Sequence, residues 1–179
     1  FDDLGRIVKA EDAKGVVTYT VYGDNVVYVF PAWDTGTDRP LLPIQVARTD
    51  DAGNITETFT VDPARTALDG NDLPTGLSGG TSQAHYVTWS RLTYNDHDQL
   101  LFVDAYHDIP SSGTGTLTTN YHRTAYRYDD LGRRHRSIQV VSGTATSASV
   151  EQVTQYVFDV RDRVIEVHRA VSSAAQDMG

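Results

Sequence analysis

The sequence predicts an all-β fold of antiparallel hairpins, on three observations. Val occurs 20 times, Thr 21 times and Tyr 10 times in 179 residues, and these side chains suit a pleated, half-buried surface. Apolar and polar residues alternate, as in Thr56-Glu57-Thr58-Phe59-Thr60-Val61 and Gln152-Val153-Thr154-Gln155-Tyr156-Val157-Phe158. A period of two places one face of a strand in the core. Short Gly, Asp, Asn and Ser segments separate the alternating runs, as hairpin turns require. Helix-forming runs of Ala, Leu, Glu and Lys are missing, and Met occurs once.

Taken in order, the pattern predicts strands near residues 6–10, 16–22, 26–31, 43–49, 54–61, 84–94, 98–107, 118–128, 133–142, 150–158 and 163–170. Trp33-Asp34-Thr35-Gly36-Thr37-Asp38-Arg39-Pro40 reads as a loop. Residues 62–83 read as a long loop or insertion, with a short helix at Pro63–Leu68 as an alternative. Pro110–Gly115 and Ser142–Ser147 read as hairpin tips, and the small, polar tail from Ser172 as a frayed end. The whole chain, 1–179, reads as a single repeat segment.

The most informative feature is an internal repeat. Phe1-Asp2-Asp3-Leu4-Gly5-Arg6-Ile7 recurs as Tyr128-Asp129-Asp130-Leu131-Gly132-Arg133-Arg134. Weaker copies are Thr49-Asp50-Asp51-Ala52-Gly53-Asn54-Ile55, Tyr94-Asn95-Asp96-His97-Asp98-Gln99-Leu100 and Phe158-Asp159-Val160-Arg161-Asp162-Arg163-Val164. The starts at 1, 49, 94, 128 and 158 are unequally spaced, so one unit recurs with connections of varying length. The chemistry of the unit is local. The aromatic residue ends a strand and packs on the sheet. The Asp side chain accepts backbone N–H groups just ahead of it. Gly supplies a positive φ, for which Asp98 and Asp162 are the next most tolerant substitutes. Arg or Gln then opens the return strand. The turn residues are therefore Asp2, Gly5, Arg6, Asp50, Gly53, Asn54, Asn95, Asp98, Asp129, Gly132, Arg133, Asp159, Asp162 and Arg163.

This pattern resembles the YD repeat of the Rhs/YD-repeat family, over most of the chain and weakly between about 62 and 84. The resemblance implies a curved antiparallel β-sheet of repeated long hairpins. In that family such sheets form a shell of a large exported or surface protein, which in its toxin branches encloses a C-terminal toxic segment. A bacterial, secreted or cell-surface location follows from the resemblance alone. The toxin branches also carry a self-cleaving aspartate core. Here Asp62-Pro63-Ala64-Arg65 keeps only the Asp-Pro pair of that core, so self-cleavage is not expected.

Composition narrows the remaining classes. With 15 basic and 24 acidic residues the formal net charge is -9, opposite to the basic face that draws in phosphates. Nucleic acid is therefore not an expected partner. No apolar run is long enough for a membrane span, so membrane insertion is not expected. Cys is absent, which removes disulfides, thiolate zinc sites and Cys nucleophiles. The chain starts without Met or a basic-then-apolar leader, and reads as a piece of a longer protein.

No cofactor, metal or catalytic residue is expected. The six histidines (His85, His97, His107, His122, His135 and His168) lack the spacing of zinc enzymes, even at His107-Asp108 and Asn95-Asp96-His97-Asp98. Asp69-Gly70-Asn71-Asp72 offers oxygen ligands for calcium, but the same residues are what a turn wants. Nucleophile-elbow and phosphate-loop patterns are missing. Lys9 and Lys14 are the only lysines. Paired carboxylates for glycoside hydrolysis depend on a spacing that sequence does not give.

The reading is thus a non-enzymatic structural segment whose partners are neighbouring repeats of its parent chain. The alternative is an adhesion module for carbohydrate or a surface glycoprotein. It would use exposed aromatic rings, with Trp33 beside its loop as the ligand-facing candidate. Alternation puts Tyr86 and Trp89 on opposite faces.

Overall fold

A computed structural model describes residues 2–142 and 150–173. It is all-β, with most strands in one large antiparallel sheet and two in a small separate one. The strands are β1 (Lys9–Glu11), β2 (Val17–Gly23), β3 (Val26–Asp34), β4 (Arg39–Pro40), β5 (Ile44–Thr49), β6 (Ile55–Val61), β7 (Thr66–Leu68), β8 (Pro74–Leu77), β9 (Tyr86–Tyr94), β10 (Leu100–Tyr106), β11 (Tyr121–Tyr128), β12 (Arg134–Ser142), β13 (Val150–Phe158) and β14 (Val164–Ser173). No helix among the described residues is long and apolar enough to cross a membrane. The chain forms two compact units, Phe1–Trp89 and Ser90–Gly179, divided within β9.

In the N-terminal unit β1, β2, β3, β5 and β6 lie side by side in that order. Alternation and register put the core on one face. Tyr28, Val46 and Phe59 are cross-strand partners, and Ile44 faces Val61. Phe30, Ile44, Val46, Phe59 and Val61 are almost fully buried. The Tyr86 ring stacks on Phe59 with centroids 3.9 Å apart.

Two expectations change here. Residues 62–83 are not a long loop. Asp62 caps a single 3-10 turn at Pro63–Arg65, and β7 and β8 then form a hairpin with Thr66 opposite Leu77. Its strands are only three and four residues long, too short for alternation to register. The proposed loop 33–40 also shrinks. Between β2 and β3, Val17 pairs with Trp33 but Tyr19 with Phe30, so Pro31 and Ala32 form a bulge, with Ala32 at φ 53. A bulge removes the need for the N–H that Pro31 lacks. The strand therefore continues to Asp34 and carries Trp33 inside.

In the C-terminal unit the order is β9 to β14 in sequence. Phe102, Ala125, Ile138 and Val153 are successive cross-strand partners over four strands and pack as one cluster. Leu117, Tyr121 and Val140 form a second cluster, with Tyr106 against it. Leu117 makes the stretch from 107 to 120 more than a hairpin tip, because its side chain is buried. The proposed tip at 142–147 and the tail beyond 173 lie largely outside the described residues.

A charged pair sits on this apolar face. Asp104 is 4% exposed and lies directly between Arg91 on β9 and Arg123 on β11. Arg123 holds it through two bonds, Nε to Oδ1 at 2.6 Å and Nη2 to Oδ2 at 2.8 Å. The guanidinium plane lies over Phe102, 4.6 Å from the ring centroid. Asp104 thereby raises the Arg123 pKa further. Removing one partner of a buried pair strands the other charge. Arg123→Ala is therefore expected to cost the C-terminal unit about 3–5 kcal/mol in urea unfolding, whereas Asp104→Leu with Arg123→Met recovers most of that loss. Phe59→Ala leaves a cavity and is expected to cost the N-terminal unit about 3–5 kcal/mol.

Candidate functional site

One turn recurs seven times in the described residues. Its first position is Asp2, Asp12, Asp50, Asp69, Asn95, Asp129 or Asp159. In each, the side-chain Oδ1 accepts the N–H groups of the third and fifth residues, at 2.8–3.0 Å. The first residue's N–H donates to the fifth residue's carbonyl, and its own carbonyl accepts the fourth residue's N–H. The fourth residue is Gly5, Gly15, Gly53, Asp72, Asp98, Gly132 or Asp162, every one at positive φ. Gly adopts that conformation freely, and Asp tolerates it best among charged residues.

The turn also sets register. In five of these hairpins the residue before the turn pairs with the sixth residue, and the seventh bulges out of the ladder. The bulged residues are Thr56, Thr75, Leu101, His135 and Ile165. One side chain therefore fixes where the return strand starts and which of its residues face the core.

The fifth position closes the turn a second time where it is polar. Arg6, Arg133 and Arg163 each donate Nε to the Oδ2 of Asp2, Asp129 and Asp159, at 2.7 Å. Asn54 Nδ2 reaches Asp50 Oδ2 at 3.3 Å. The donor direction reverses at Asn95, whose Nδ2 donates to Gln99 Oε1 at 2.8 Å. Charge and hydrogen bonding follow this geometry. The Arg6 and Asn54 backbone N–H groups pull the Asp2 and Asp50 carboxyls below the usual Asp value. The Leu73 and Arg163 backbones do the same for Asp69 and Asp159. At Asp129 desolvation is the largest influence and raises the pKa, but the Arg133 backbone and side chain together outweigh it.

Side chains of one turn also fasten the next hairpin. In the C-terminal unit Gln99 Nε2 donates to the Gly132 carbonyl at 3.3 Å, and the Tyr128 hydroxyl returns a bond to the Leu100 carbonyl at 2.9 Å. Arg133 Nη1 reaches Asp162 Oδ1 at 2.9 Å and the Asp159 carbonyl at 3.4 Å. Its guanidinium lies 4.8 Å from the Phe158 ring centroid. In the N-terminal unit Arg6 sits over the Tyr22 ring at 4.2 Å, and Asn25 Nδ2 donates to Asp51 Oδ1 at 2.9 Å. So Phe158, which ends β13, is gripped by Arg133 of the Asp129 turn, and Tyr128, which ends β11, is anchored to the residue that follows the Asn95 turn.

The sequence-derived turn residues Asp2, Gly5, Arg6, Asp50, Gly53, Asn54, Asn95, Asp98, Asp129, Gly132, Arg133, Asp159, Asp162 and Arg163 all lie at first, fourth or fifth positions of these turns. Two turns escaped the sequence reading. Glu11-Asp12-Ala13-Lys14-Gly15-Val16 and Leu68-Asp69-Gly70-Asn71-Asp72-Leu73 lack the aromatic and the polar fifth residue. Asp followed three residues later by Gly or Asp would have found them. Asp69 Oδ1, in the stretch weighed above for calcium and read as a turn, holds the N–H groups of Asn71 and Leu73.

Trp33 is not ligand-facing. It is 8% exposed, with its ring edge-on to Tyr19 and Phe30. Trp89 is buried too, donating Nε1 to Glu57 Oε1 at 2.6 Å. Tyr86 and Trp89 touch edge-to-face at 5.8 Å rather than facing apart. Arg48 bonds the other Glu57 oxygen and the Thr81 hydroxyl. The Asp104–Arg123 pair was also missed, although Leu100, Phe102, Asp104 and Tyr106 alternate and mark Asp104 as inward-facing. The His107 and His122 rings lie 4.6 Å apart, and His168 faces Glu166. Among the described residues no three His, Asp or Glu side chains gather to hold a metal ion.

Comparison with models of known protein families finds no match to the chain, and comparison with curated proteins finds none either.

The turn predicts a graded response at one position. Asp129→Ala removes both Oδ1 bonds and is expected to lower the melting temperature by several degrees. Asp129→Asn keeps an acceptor oxygen, as Asn95 does, and is expected to stay closer to wild type. Acid acts in the same direction. The folded chain holds Asp2, Asp50, Asp69, Asp129 and Asp159 ionised at a pH where the unfolded chain takes up protons. Their contribution is full at neutral pH and is lost as pH falls below about 4. Thermal melts from pH 7 to pH 2 check both effects.

Proposed function

We propose that the chain is an architectural module: a non-enzymatic segment of the β-shell of a large exported or surface protein of the YD/Rhs-repeat type, the kind of shell that in the toxin branches of that family encloses a C-terminal toxic segment. The observation that carries this reading is the use made of the chain's reactive-looking groups. Of its 24 acidic residues, nine occupy the first or fourth position of a turn, where they hold backbone N–H groups or take a positive φ. Arg6, Arg133 and Arg163 clasp three of those carboxylates, and Arg6 and Arg133 also lie against aromatic rings. Those nine acids and the arginines that clasp them serve the construction of hairpins and the attachment of one to another.

The adhesion reading has lost its anchor, since the Trp33 ring is enclosed by Tyr19 and Phe30. Two measurements separate the readings. Intact mass and peptide mapping of the native gene product are expected to give a species much longer than 19.7 kDa, with further aromatic-Asp-x-x-Gly repeats. A glycan array is expected to show no dose-dependent binding. A product that ends near Gly179, or saturable glycan binding, would overturn the architectural reading.

A further inference from the structure

The last hairpin of the series repeats the build of the one before it. β12 and β14 each follow an Asp turn, start one residue after its Arg, and bulge at the same place, His135 and Ile165. β12 is paired on both sides, by β11 and β13, whereas β14 is paired only by β13 among the described residues. The described side chains of β14 are all exposed, including Val164, Ile165, Val167 and Val171. Its charges Glu166, His168 and Arg169 do not mark it as a guarded edge, because β12 carries Arg134, His135 and Arg136 and is paired nonetheless.

The arginines differ in the same way. Arg133 has two jobs: Nε holds its own turn at Asp129, and Nη1 crosses to Asp162 and the Asp159 carbonyl while the guanidinium covers Phe158. Arg163 does only the first. Its Nε and Nη2 both meet Asp159 Oδ2 at 2.7 Å, and its Nη1 has no partner among the described residues. The Arg163 side chain is 69% exposed against 25% for Arg133. Among the described residues nothing stands beside Arg163 as Phe158 and Asp162 stand beside Arg133.

We propose that the outer edge of β14, with Arg163, is a docking site for a strand of defined chemistry: an extended segment that ends in an aromatic residue followed by an Asp or Asn turn. The inference rests on the architectural reading and names the partner that this edge accepts. The strand adds antiparallel to β14 through main-chain hydrogen bonds. Its aromatic ring slides under the Arg163 guanidinium, and Arg163 Nη1 donates to the carbonyl and acidic oxygens of the incoming turn. An exposed edge accepts any strand weakly. The aromatic and acidic pair supplies selectivity, and it is the pair that Arg133 already reads on β13.

The chain contains the matching probe. A synthetic peptide of residues 150–163 carries the strand, Phe158 and the turn acids Asp159 and Asp162. Titrated into the intact 179-residue chain and followed by amide chemical shifts, it is expected to bind saturably at about 10 µM to 1 mM, with shifts confined to β14 and Arg163. Replacing Phe158 or Asp162 of the peptide by Ala is expected to weaken binding by about tenfold, a change worth roughly 1.4 kcal/mol. Arg163→Ala in the protein is expected to do the same. Arg163→Lys keeps the charge but not the fork, and is also expected to bind weakly, with amide shifts outside the Asp159 turn unchanged. Equal binding by Arg163→Ala and wild type would overturn the docking site. So would shifts at β12 from strand exchange, association of the chain through β14 that ignores Arg163, or no saturation at about 1 mM. Such a failure would remove the docking site alone, whereas the native product's mass tests the architectural reading separately.

Discussion

An Asp or Asn side-chain oxygen that accepts two backbone N–H groups governs this structure. Each of the seven turns must reverse the chain in a few residues, and that reversal leaves main-chain donors facing water or nothing. Oδ1 of the first turn residue takes two of them. The fourth residue then accepts a positive φ, and in five of the hairpins the strands meet in a fixed register with one bulged residue. Core formation depends on that register, since a slip of one residue would turn Phe102, Ile138 or Val153 to the opposite face.

The same few residues act at two scales. Within a turn, Arg133 clasps Asp129. Between turns it reaches Asp162 and shelters Phe158. This double use explains why aromatic, Asp, Gly and Arg occur together in the fullest copies. Asp and Gly are requirements of the turn itself, whereas the aromatic and the Arg are requirements of the joint between neighbouring hairpins. The turns at Asp12 and Asp69 separate the two roles, for they keep the Asp and the positive φ while Val16 and Leu73 stand where Arg would.

That separation also shows what the sequence made legible. Strands of six residues or more announced themselves through alternation, and the fold class followed. β7 and β8 were hidden because three or four residues carry too little pattern. β3 ran past Pro31 because a bulge at Ala32 absorbs the missing donor, which no local rule for Pro anticipates. Trp33 was placed outside for the same reason, as a residue beside a loop that the structure largely absorbs into strand. The Asp104–Arg123 pair was written in the alternation of β10, but an acidic residue at an inward position contradicts the usual preference and becomes visible only when its partner strand is known. The turn acids were legible because their chemistry is local. Arg133's reach to Asp162 was not, because it spans 29 residues of sequence.

Amide hydrogen exchange, resolved residue by residue, tests the central claim most directly. If the first-position side chain holds each turn, the N–H groups of Leu131 and Arg133, and of Arg161 and Arg163, exchange at least about tenfold more slowly than the same amides in an unstructured peptide of this sequence. Asp129→Ala then releases Leu131 and Arg133 while leaving Arg161 and Arg163 protected. Exchange of Leu131 and Arg133 at unprotected rates in the wild-type chain, or protection that survives Asp129→Ala, would contradict the account.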